Sequence, residues 1–113
     1  MIVCAAGLML GQLRDGNLDV RFEPTAKLQT GAQIPFSIVV RDAVNKPFIN
    51  AKVTLAIERQ DHTSAKVYPA SQLDPGTYMA KPVFPTAGTW NVTVDVRRDN
   101  QESNRSIEFS VPE

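Results

Sequence analysis

The chain has very few of the residues from which active sites are usually built. It carries one cysteine and one histidine in 113 residues. A lone cysteine excludes an internal disulfide framework and every Cys-x-x-Cys metal or redox motif. His62 would have to serve any Ser/His/Asp or Cys/His device, and the neighbouring Asp61 would point to the opposite face of an extended chain. There is no Gly-rich phosphate loop and no His-x-x-x-His pair. An excess of charge is also missing: 12 basic residues balance 12 acidic ones. That balance removes the positive field on which nucleic-acid binding depends. Arg97 and Arg98 are the only adjacent basic pair, and with Asp95, Asp99 and Glu102 around them they read as a solvated hairpin tip. Six glycines and eight prolines without a repeat exclude a collagen-like chain. These shortages argue against an enzyme, a bound cofactor, a nucleic-acid partner and a small-molecule substrate.

What the chain does hold is enough apolar material, 42% of its residues, for one packed core. From Leu18 onward that material recurs with a period of two. Leu18, Val20 and Phe22 alternate with Asp19, Arg21 and Glu23; Ile34, Phe36, Ile38 and Val40 with Pro35, Ser37, Val39 and Arg41. Val53, Leu55 and Ile57 form a third run, Trp90, Val92, Val94 and Val96 a fourth, and Ile107, Phe109 and Val111 a fifth. A shorter run at Tyr78 and Ala80 is ended, or moved to a sheet edge, by Pro82. Val67 and Tyr68 suggest a weak seventh. Turn signals at 24–31, 45–47, 74–76, 85–88 and 99–104 separate them. Alternation of this kind belongs to antiparallel sheets with one wet face. The expectation is an all-β, immunoglobulin-like antiparallel β-sandwich of about seven strands over residues 14–113. Phe36, Tyr78, Trp90, Val94 and Phe109 are its expected core.

Residues 1–13 stand apart. Residues 2–10 carry no charge, yet nine residues fall well short of the ~20 that a membrane-spanning helix needs. The stretch reads as a remnant of a signal or membrane anchor, or as a packed extension; a lipoprotein reading would make Cys4 the acylated residue, but Val3 before it is a poor fit to the small residue such sites need.

The stretch GTYMAKPVFPTAGTWNVTVDV, residues 76–96, has the skeleton Gly-x-Tyr-x-Ala, Phe-Pro-x-Ala-Gly-x-Trp, then alternating valines. With Phe22-Glu23-Pro24, the Arg41-Asp42 to Lys46-Pro47 turn and Asn50-Ala51-Lys52-Val53, it resembles the FixH/YtkA-like family over residues 18–111. The resemblance implies an immunoglobulin-like sandwich outside the cytoplasmic membrane, periplasmic or at the cell surface, and tethered at its N-terminus. It also implies a non-catalytic accessory role, with a membrane-protein or assembly partner, in copper handling or haem–copper oxidase assembly. FixH members usually begin with a membrane-spanning helix, which here would survive only as residues 1–13. YtkA-like members often carry a Met/His signature near the third strand. His62 falls near that place, but no methionine lies in residues 56–64.

Soft ions such as Cu(I) favour thioether and thiolate donors and accept imidazole. Met79, facing away from Tyr78, makes His62 plus Met79 the candidate metal pair of a direct Cu(I) carrier. A structural or adhesive immunoglobulin-like domain of a larger surface protein is the other reading. Residues 73–78, Leu-Asp-Pro-Gly-Thr-Tyr, resemble the tyrosine-corner segment of fibronectin type III domains, with the tyrosine one residue early.

Overall fold

The computed structural model describes residues 18–113; the apolar residues 1–13, with Cys4, lie outside them. Eight strands form among the described residues, and no helix. They are β1 (Asp19–Pro24), β2 (Phe36–Arg41), β3 (Lys52–Arg59), β4 (Ala65–Pro69), β5 (Ser71–Asp74), β6 (Thr77–Ala80), β7 (Gly88–Arg98) and β8 (Gln101–Val111). Two four-stranded antiparallel sheets result, in the orders β1-β2-β6-β5 and β4-β3-β7-β8. This is the ABED and CFG pairing of an immunoglobulin sandwich, with β4 as one more edge strand on the second sheet.

The period of two does the sorting. In β7, Trp90, Val92, Val94 and Val96 are buried, while the residues between them stay at least partly wet. Register then brings apolar residues together across strands: Leu55 lies opposite Val94 and Ile57 opposite Val92, while Ile38 lies opposite Tyr78. Aromatic rings fill the space between the sheets. Phe36 meets Phe109 edge-on at 5.5 Å, and Phe84 meets Trp90 edge-on at 5.5 Å, a geometry in which a ring's positive rim faces its neighbour's negative face.

Phe36, Tyr78, Trp90 and Val94 are fully buried. Phe109 is only half-buried, because it stands on the edge strand β8 and packs against the core from its rim. Other details depart from the sequence reading. Of the two readings of Pro82, it ends the run and does not move it to an edge, since β6 is an interior strand that stops at Ala80. β2 starts at Phe36, and Ile34 reaches the core from the preceding loop, its N–H bonded to the Pro82 carbonyl at 2.9 Å. The β7–β8 turn occupies only Asp99 and Asn100, with Asp99 at φ 54°. Ser71–Asp74, where the sequence shows no alternating run, is a strand.

The strand directions give the sandwich two ends. One gathers the start of β1, the β2–β3 loop, the β5–β6 turn and the β7–β8 turn, since Asp19 pairs with Arg41 and Lys52 with Arg97. The other carries the β1–β2, β3–β4 and β6–β7 loops and the end of β8.

Candidate functional site

The Phe-Pro-x-Ala-Gly-x-Trp segment folds as a chain of backbone pins. The Trp90 indole N–H donates to the Thr86 carbonyl at 2.9 Å, so a ring with no exposed surface still has its polar atom satisfied. One residue further on, the Ala87 carbonyl accepts from the Arg59 guanidinium at 2.9 Å. Gly88 follows with φ +133°, and a Cβ there would lie 2.9 Å from the same guanidinium. Glycine is what lets Arg59 lie flat on the turn. Arg59 also pairs with Asp61, which ties the β3–β4 turn to the β6–β7 loop.

Tyr78 does the equivalent at the opposite end. Its hydroxyl donates to the Phe48 carbonyl at 2.7 Å and accepts from the Ala51 N–H at 3.1 Å. A fibronectin-type tyrosine corner is local; this tyrosine sits on β6 and reaches 30 residues back along the chain. It clamps the returning limb of the β2–β3 loop just before β3. Gly76 lets the β5–β6 turn close on that loop: at φ +78°, a Cβ would stand 2.8 Å from Pro47 Cβ and 2.9 Å from its Cα. Arg98, expected at a solvated tip, instead lies 3.9 Å over the Phe48 ring and donates to the Ile49 carbonyl. Arg97 pairs with Asp95 and Glu102.

His62 and Met79 occupy different places. His62 stands in the exposed β3–β4 turn at φ 63°, with Nδ1 2.8 Å from Glu58 Oε2. That hydrogen bond, then the Glu58 charge, raises its pKa above the ordinary 6.5. Asp61 beside it is lowered, chiefly because the Thr63 hydroxyl and then the Thr63 N–H donate to it. Met79 lies in the other sheet, between Ser37 and Ser71 in register. It lines a shallow groove of about 400 Å³ with Tyr68, Leu73 and Lys81. A second concavity, about 450 Å³, lies on the wet face of β1 and β2, with Arg21, Arg41, Asp19 and Glu23 along it. Among the described residues, no three His, Cys, Asp or Glu side chains gather as a metal cluster would.

The profile of the YtkA-like family matches residues 13–95. The chain belongs to the YtkA-like family. Comparison with curated proteins gives no match. Among solved structures, a DUF4426-family protein from Pseudomonas aeruginosa PAO1 is similar at 20% identity and a TM-score of 0.55. The similarity covers 88% of this chain and 94% of that one, a likeness of fold.

In this YtkA-like chain, the motif that carries the resemblance is occupied in building the sandwich. Sequence reasoning missed Arg59, Phe48 and Arg98, whose partners lie 28, 30 and 49 residues away. A guanidinium next to a glycine turn leaves no local spacing by which to find it. Among the described residues, no helix is long and apolar enough to cross a membrane.

Proposed function

We propose that the protein is a non-catalytic accessory module, held outside the cytoplasmic membrane, that meets a membrane-embedded partner through loops at one end of its sandwich. The setting is the one the FixH/YtkA-like resemblance implies, copper handling or haem–copper oxidase assembly. One observation carries the reading. The prominent polar groups of the family-like motif, in Trp90 and Tyr78, and of Arg59, which packs on its turn, are directed at backbone atoms of their own chain. A catalytic centre needs a nucleophile, a proton carrier and an orienting group converging on one cavity. The larger concavities are instead lined by strand-surface residues.

Copper, in this reading, stays on the partner. A Cu(I) site needs soft donors converging on one ion, and His62 and Met79 stand on different sheets. Deleting the gene should lower haem–copper oxidase activity in isolated membranes, and the full-length chain should restore it. Unchanged activity after deletion would overturn the assembly role and favour a structural or adhesive domain. A Cu(I) titration followed by backbone NMR should leave His62 and Met79 unmoved. Localised shifts at both would make the protein a direct carrier.

A further inference from the structure

Four large aliphatic side chains are prominently exposed among the described residues: Val44, Ile49, Val67 and Leu73. Single exposed aliphatics are ordinary on a protein surface, but these are not evenly spread. Val44 and Ile49 both belong to the β2–β3 loop, and Leu73 lies in β5 next to the turn that packs on it. The loop is also held firmly. Asp42 Oδ1 accepts from the N–H groups of Val44 and Lys46, each at 3.0 Å. The Tyr78 hydroxyl fixes Phe48 and Ala51, Gln72 Oε1 accepts from the Asn50 N–H at 2.9 Å, and Arg98 covers the Phe48 ring. So many anchors fix the backbone, yet Val44 stays 70% exposed and Ile49 41% exposed. The rigid frame presents them outward.

The same end of the sandwich receives the chain from its apolar N-terminal residues. Asp19, at the start of β1, pairs with Arg41, the residue from which the loop departs. Residues 11–17 are all that separate apolar residues 2–10 from Leu18, and seven residues reach at most ~25 Å. The domain is 40 Å along its longest axis, about the length of the eleven-residue strands β7 and β8. A surface that holds residues 2–10 is therefore within reach of the β2–β3 loop, and a domain standing on that end keeps the His62 end away from it.

We propose that the β2–β3 loop is the membrane-facing tip of the domain, with Val44 and Ile49 seated in the interfacial layer of the lipid bilayer; this rests on the membrane-tethered reading above. Two aliphatic side chains bind weakly by themselves. A tether changes that, because a short linker supplies an effective concentration on the order of millimolar. Charge has little part in it. Asp42 is taken up by the loop backbone, and Arg97 pairs with Asp95 and Glu102. Lys46 and Arg41 are balanced by exposed Asp74 and Asp99 at the same end. A neutral phosphatidylcholine surface is sufficient.

The test uses the full 113-residue chain, isotope-labelled, on phosphatidylcholine nanodiscs with and without a headgroup-bound gadolinium lipid. The amide signals of Val44 and Ile49 should be lost, while Thr63 at the opposite end keeps its signal. The exposed substitutions Val44→Asp with Ile49→Asp should restore the loop signals without releasing the chain from the discs. A chain that stays on the discs with its loop signals intact, or with Thr63 broadened instead, overturns the tip and leaves the tether standing. A chain that does not associate with the discs overturns both.

Discussion

Replacing Tyr78 with phenylalanine would isolate the clamp on the β2–β3 loop, because the ring remains and only the hydroxyl is lost. The ring is 1% exposed, so water cannot readily reach the two groups the hydroxyl serves. Those are the Phe48 carbonyl at 2.7 Å and the Ala51 N–H at 3.1 Å. A buried polar group deprived of its partner costs ~1–3 kcal/mol, so the pair predicts a loss of about 2–6 kcal/mol. Against a total stability of ~5–15 kcal/mol for a domain of this size, that is a large share. At ~4–8 °C per kcal/mol, the melting temperature should fall by at least roughly 8 °C. Urea unfolding followed through Trp90 fluorescence gives the free energy directly. The denaturant slope should stay constant, since no apolar surface is exchanged. Hydrogen exchange at the Ala51 amide should accelerate beyond the change in global stability. A loss under ~0.5 kcal/mol with Ala51 still protected would refute the clamp, because a bound water would then be replacing the hydroxyl.

Three further perturbations test other joints of the fold. Trp90→Ala removes a ring with no exposed surface and should cost ~3–5 kcal/mol in thermal or urea unfolding; wild-type stability would mean that the ring is not the core anchor. Gly76→Ala puts a Cβ 2.8 Å from Pro47 on a backbone at φ +78° and should cost at least ~1–3 kcal/mol by calorimetry, whereas an unchanged melting temperature would show that the turn shifts freely. His62 binds its proton more tightly in the folded state, so its contribution is complete below pH 6.5 and is lost as pH rises through the higher folded-state value. Glu58→Gln should move the His62 ring titration, read by NMR, down toward 6.5 and flatten that pH dependence. An unmoved titration would exclude Glu58 as the cause.

How much was legible followed from where each residue sits. β2, β3 and β7 lie inside their sheets or pack squarely on the core, so each residue is either buried or wet and the alternation is clean. β5 is exposed along its whole length; with nothing to bury, Ser71–Asp74 has no period to read. β8 hides its first half in the same way. Its inward positions there are Ser103 and Arg105, because an edge position lets Arg105 reach past the core and donate to the Val20 carbonyl at 2.9 Å. The candidate metal pair shows a different limit. Alternation places Met79 on a wet face, but which sheet faces His62 depends on strand order, which is a property of the whole chain. Long-range pins such as Arg59 on Ala87 are lost for the same reason.

The pins also bear on where function resides. Phe84, Thr86, Ala87, Gly88 and Trp90 hold one end of the sandwich together through Arg59, and Tyr78 and Gly76 hold the other through the β2–β3 loop. Residues tied in this way specify a scaffold, so a family resemblance that runs through them transmits fold more strongly than activity. What distinguishes one such scaffold from another must then be what the pins leave outside. At the β1 end that is Val44 and Ile49 on a clamped loop; at the other it is His62 on a turn fixed by Arg59 and Asp61. The end that receives the chain from its apolar residues carries the aliphatic tips, and the end turned away carries the titratable one. A domain held to a bilayer by its N-terminal side would set the first against lipid and leave the second, at the far end of a domain 40 Å long, to face a soluble partner or the extracytoplasmic phase.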